Sequence, residues 1–134
     1  MKASTFNSFI LKKHVRFGLA FLYLLVTLWL FTLPGSAFPD NDWFDTLQVD
    51  KWVHATLFFG LCGLFMYPIL SFDKSSYSKI KIFIVISSLA IGYGISIEFI
   101  QRYYIPNRSF DIWDIVADTI GSILAFIWFK RKLT

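Results

Sequence analysis

Residues 17–33 read FGLAFLYLLVTLWLFTL, 17 consecutive positions without a charged side chain. That is close to the roughly 20 apolar residues a helix needs to cross a hydrocarbon core. Lys12, Lys13 and Arg16 stand before the run, and Pro34-Gly35 closes it. A secretory signal is the alternative, because Gly35-Ser36-Ala37 looks like a small-residue cleavage site. Signal cores usually hold about 7–15 apolar residues, and this longer run favours a retained span. Cleavage would leave the topology of the remainder unchanged.

Three more apolar segments follow, at about residues 52–70, 80–103 and 112–129. The 134 residues are 56% hydrophobic, 20% aromatic and 16% charged, more apolar surface than one soluble core of this size can hide. The bilayer is then the solvent and the first partner. The sequence predicts an all-α integral membrane protein, an antiparallel bundle of four transmembrane helices in a membrane domain over 17–129. A basic N-terminus, 1–16, and a basic tail, 130–134, flank it. No repeat, low-complexity run or soluble domain interrupts the pattern, and short connections make sequential helices neighbours. Trp29, Trp43, Trp52, Trp113 and Trp128, with Tyr67, Tyr103 and Tyr104, fall near the predicted boundaries, where amphipathic rings anchor at headgroup level.

Charge gives the orientation. Lys2, Lys12, Lys13 and Arg16, then Lys74, Lys79 and Lys81, then Lys130, Arg131 and Lys132 alternate along the chain with two acidic sets. These are Asp40, Asp42, Asp45 and Asp50, and then Glu98, Asp111, Asp114 and Asp118. Short loops rich in Lys and Arg stay cytoplasmic, so both termini are predicted inside and both acidic loops outside. Orientation and anionic headgroups account for the net charge of +4, and no nucleic-acid partner is expected. The single cysteine, Cys62, excludes an intramolecular disulfide and a cysteine-pair metal site.

A charged side chain in hydrocarbon costs about 2.5–3.5 kcal/mol on insertion scales, so such groups face a bundle interior, a partner or water. Here they share helix faces. Asp50 and His54 stand at i and i+4, Glu98 and Gln101 at i and i+3, and Asp111, Asp114 and Asp118 at i, i+3 and i+7. Three helices thereby bring polar faces to one end of the bundle, with Arg102 and Arg108 in the adjoining connection. The candidate polar cluster is Asp50, Lys51, His54, Glu98, Gln101, Arg108, Asp111, Asp114 and Asp118. Plain structural roles compete with chemistry at several positions. Asp111 and Asp50 are candidate helix caps, Asp114 suits the dipole of a first turn, and Lys51 can reach toward water or lipid phosphate. His54, Glu98 and Asp118 lie too far inside their spans for capping. The guanidinium fork of Arg108 suits two carboxylates or a ligand phosphate.

Catalytic candidates are His54, Glu98 and Asp114, which have the donor types of a general acid/base or divalent-metal site. No close-spaced metal motif, Gly-rich phosphate loop or serine nucleophile motif accompanies them. No cofactor is predicted, and a divalent metal is the one candidate that the donor types leave. In the last segment Ala117, Gly121 and Ala125 form a small-residue stripe, and Ala90 and Gly94 have the same spacing in the third. Both suit close helix packing, with homo-oligomerisation through a stripe as the alternative.

The ordered combination Asp50-Lys51-x-x-His54-x-x-x-Phe58, Glu98-x-x-Gln101 and Pro106-x-Arg108-x-x-Asp111-x-x-Asp114-x-x-Ala117-Asp118-x-x-Gly121 resembles the VanZ-like family of small bacterial membrane proteins. The likeness covers about residues 50–129. Asp118 stands where the family usually has Asn, and Ala125 where a second Gly is usual. The resemblance implies a multi-pass protein of the bacterial plasma (inner) membrane with a cell-envelope role. Its namesake is associated with low-level resistance to glycopeptides of the teicoplanin type.

Three functions compete on this reading. One is an outward polar site that binds an envelope lipid or lipoglycopeptide, with Arg108 and Lys51 engaging anionic groups. Another is an interfacial enzyme acting on an envelope lipid or its headgroup. The last is transport of a proton or small ion, which the empty inner halves of the spans oppose, since no complete relay of titratable groups is visible.

Overall fold

The structure, a computed structural model, describes residues 3–37 and 48–134. Lys2, Asp40, Asp42, Trp43 and Asp45 lie outside the described residues. Among the described residues four helices carry the fold: α1 (Ala3–Phe31), α2 (Val49–Ile69), α3 (Ser76–Tyr104) and α4 (Ile112–Lys130), with a short 3-10 turn at Gly35–Ala37. Each contains a stretch long and apolar enough to cross a membrane. The described residues contain no strand.

Local chemistry sets the helix ends. Ser75 caps α3 by accepting the Ser78 N–H at 3.3 Å, and Asp111 caps α4 by accepting the Trp113 N–H at 2.8 Å. The cap of α2 is Gln48, in the left-handed region at φ 47°, without a side-chain cap bond. Asp50 is therefore not the cap the sequence suggested; it lies in the first turn, where its charge suits the helix dipole. Pro106 and Asn107, the latter at φ 57°, turn the chain from α3 toward α4. The Pro106 carbonyl accepts the Gly35 N–H at 3.1 Å, which pins the exit of α1 to this turn. A Cβ on Gly35 would run into the Asn107 carbonyl, so glycine permits that approach.

Contacts at the two ends give the packing. Phe17 of α1 meets Phe72 just beyond α2, and Phe83 of α3 meets Phe129 of α4, each pair with ring centroids 6.3 Å apart. At the other end Phe31 closes on His54 and Phe58, with centroid separations of 4.6 and 6.0 Å. The most extensive interface joins α2 to α4, which are not sequential; α3 packs on α4, and α1 lies mainly along α2. The small-residue stripe explains that choice. Ala117, Gly121 and Ala125 are buried, and Gly121 faces the Ala55 backbone so closely that a Cβ there would strike its carbonyl. The stripe is used within the chain, which is the helix-packing reading.

The core comprises Phe31, Phe58, Cys62, Met66, Ile69, Phe83, Ala90, Ile97 and Ala125. Outside it, Leu19, Phe21, Leu22, Leu25, Val85, Leu89 and Leu124 stand more than half exposed. In water this would be an aggregating surface, whereas in a bilayer it is the lipid contact. Trp29, Trp52, Trp113, Trp128, Tyr103 and Tyr104 are exposed as well, as anchoring rings require.

Candidate functional site

The start of α2, the end of α3 and the start of α4 bring the charged residues together. Lys51 is the hub. Its Nζ lies 2.6 Å from Asp50 Oδ2, 2.6 Å from Asp111 Oδ2 and 2.6 Å from Asp114 Oδ1. With its three donors directed at protein carboxylates, Lys51 is held in the cluster, which corrects the expectation that it reaches for lipid phosphate or an anionic ligand.

One turn deeper, His54 Nδ1 lies 2.9 Å from Asp118 Oδ1, and His54 Nε2 lies 3.7 Å from Asp114 Oδ2, beyond hydrogen-bond length. The Phe31 ring leans against the imidazole and closes its apolar side. Glu98 is fully buried. Its Oε2 accepts the Asp111 N–H at 2.8 Å, while Oε1 has no hydrogen-bond partner among the described residues. Asp118 Oδ2 has none either, and it sits over Gly94, whose absent side chain makes room for it. An unmade hydrogen bond on a buried carboxylate costs about 1–3 kcal/mol or more, so two in one cluster call for an explanation.

The remaining predicted residues hold the periphery. Gln101, buried, donates from Nε2 to the Phe31 carbonyl at 3.0 Å and ties α3 to the end of α1. Arg108 donates from Nε to the Leu33 carbonyl at 3.4 Å. At Asp111, partial burial pushes the carboxyl up, but the Lys51 ammonium and the Trp113 N–H outweigh it and hold the group below its ordinary value.

A cavity of about 430 Å³ opens beside the cluster. Asp50, His54, Gln101, Arg108, Asp111 and Asp114 supply its polar wall, and Leu30, Phe31, Val53 and Leu57 its apolar one. Lys51, Glu98 and Asp118 do not line it. Phe31 and Asn107 shape the site without having been singled out by the sequence, and Gly35 and Gly94 stood out there only as a span end and a packing position. Phe31 is one of 16 phenylalanines, and spacing gives no reason to choose it.

Fold and cluster together define a multi-pass membrane protein with a buried acid–histidine network where three helix ends converge. The chain belongs to the VanZ/LLP1 family, whose model matches residues 16–133, nearly its whole length. That agrees with the family its residue order resembles. No curated protein and no solved structure matches it.

Proposed function

We propose that this VanZ/LLP1 protein acts in the cell envelope of a bacterium, with both termini cytoplasmic and the cavity opening at the outer face of the plasma membrane. There it receives an amphiphilic anionic ligand, an envelope lipid headgroup or a lipoglycopeptide, and lowers susceptibility to teicoplanin-type antibiotics. One observation carries this reading: the 430 Å³ cavity joins a polar wall to an apolar one. A lipid-linked molecule needs both, a charged recess for its head and hydrocarbon contact for its tail. Arg108 lines the cavity and brings a guanidinium fork to the anionic group. The charge pattern supports the orientation.

The test is teicoplanin susceptibility of a Gram-positive host expressing wild type or Glu98→Gln at equal membrane levels. Wild type is expected to protect and the variant to lose protection. No protection from the wild-type protein would end the resistance role.

A second reading draws on the His54–Asp118 pair. A carboxylate that fixes one imidazole nitrogen leaves the other for proton transfer, as in general acid/base sites, and His54 faces the cavity. Envelope-lipid profiles of the same two strains separate the readings, because a lipid product made only by wild type would favour an enzyme.

A further inference from the structure

We infer that His54, Glu98 and Asp114 bind a divalent transition-metal ion, with Zn²⁺ the best fit, between α2, α3 and α4. Each residue offers one donor atom, and the three atoms lie within 4.8 Å of one another. All three residues are buried.

Each also has one atom engaged by the protein and one left over. Asp114 Oδ1 is taken by Lys51, leaving Oδ2; Glu98 Oε2 is taken by the Asp111 N–H, leaving Oε1 without a partner; His54 Nδ1 is taken by Asp118, leaving Nε2. An ionised carboxylate only accepts, so with Asp118 ionised the Nδ1–H donates, and in the neutral imidazole Nε2 then presents its lone pair. Carboxylate-to-histidine support of this kind orients most metal-bound imidazoles.

The spacing fits as well. The 3.7 Å between His54 Nε2 and Asp114 Oδ2 is too long for a hydrogen bond. It is close to the roughly 3.4 Å edge of a tetrahedron whose ligands lie about 2.1 Å from zinc. Three protein ligands would leave a position open toward the cavity that His54 and Asp114 line.

A second acidic group, Asp50, Asp111 and Asp114, has comparable spacing, but the Lys51 ammonium already stands among its carboxylates at 2.6 Å from each. It carries no such site. Lys51 does not reach Glu98, whose Oε1 has no hydrogen-bond partner among the described residues, and a dication beside His54 would give that oxygen a partner.

The inference stands apart from the lipid-binding reading, because metal is measured on the protein itself. Tag-free full-length protein in detergent, stripped with a chelator, is titrated with Zn²⁺, Mn²⁺ and Mg²⁺, with elemental analysis for stoichiometry. One Zn²⁺ per chain is expected, bound more tightly than Mn²⁺ and far more tightly than Mg²⁺. Asp118→Asn keeps the hydrogen-bond acceptor and loses the charge, and it should weaken binding by about 10- to 100-fold. Glu98→Gln, close in shape and checked for helicity by circular dichroism, should weaken it further, while Asp73→Asn, exposed in the connection between α2 and α3, leaves it unchanged. Absence of saturable binding to wild type overturns the site whatever the variants do, and so does undiminished binding to folded Glu98→Gln.

Discussion

Lys51 illustrates how one cation organises a site where charge is expensive. Its ammonium gathers carboxylates from α2, from the cap of α4 and from the first turn of α4, so three separate backbone positions are tied to one atom. Asp111 serves twice, as cap and as a partner of Lys51. A carboxyl held below its ordinary value contributes stability that is fully present above about pH 3.9 and is lost as pH falls through the lower folded value. Asn also caps helices, so Asp111→Asn removes the charge while keeping the cap. Unfolding midpoints in detergent between pH 5 and 3 should therefore fall more steeply for wild type than for this variant. Equal slopes would show that Asp111 has no part in the acid response.

At the scale of the element, α4 carries the greatest demand. Its cap and first two turns present acids to Lys51 and His54, while its small residues let α2 approach. Gly121 would place a Cβ 3.0 Å from the Ala55 carbonyl carbon and 3.1 Å from its Cα. Backbone cannot yield as a side chain does, so Gly121→Ala should destabilise the protein by about 1–3 kcal/mol, read as a lower unfolding midpoint. Gly92 supplies the contrast. Nothing lies within 4 Å of a Cβ there, and Gly92→Ala should be neutral or stabilising by up to about 1 kcal/mol through helix propensity. If the two substitutions behave alike, close approach of α2 and α4 is not what the glycine secures.

For the whole molecule, the decisive property is sidedness. The proposed orientation, which rests on the charge pattern, puts the connection between α2 and α3 in the cytoplasm and that between α3 and α4 outside. With Cys62→Ala removing the one native thiol, buried in the core, Asp73→Cys and Ser109→Cys report the two connections separately. A membrane-impermeant maleimide should label Ser109→Cys in intact cells, and Asp73→Cys only after permeabilisation. The reverse pattern would put the cavity on the cytoplasmic side and remove the envelope ligand from its reach.

Four long apolar runs determined by themselves that the chain forms four spanning helices, because hydrocarbon admits backbone only when its hydrogen bonds are satisfied within each segment. Spacing of three, four and seven residues likewise put Asp50 with His54, Glu98 with Gln101, and Asp111 with Asp114 and Asp118 on shared faces, since helix geometry is local. The residue order carried the family too. Which faces meet was another matter. Short connections favour sequential neighbours, yet the largest interface joins α2 to α4, through Gly121 against Ala55 and Lys51 and His54 against the acids of α4. Only the tertiary structure decided that Lys51 is enclosed by carboxylates and that Phe31 of α1 covers His54. Periodicity fixes the direction of a side chain from its own axis, but the partner across an interface depends on how several helices fit at once, and a single chain pattern does not contain that fit.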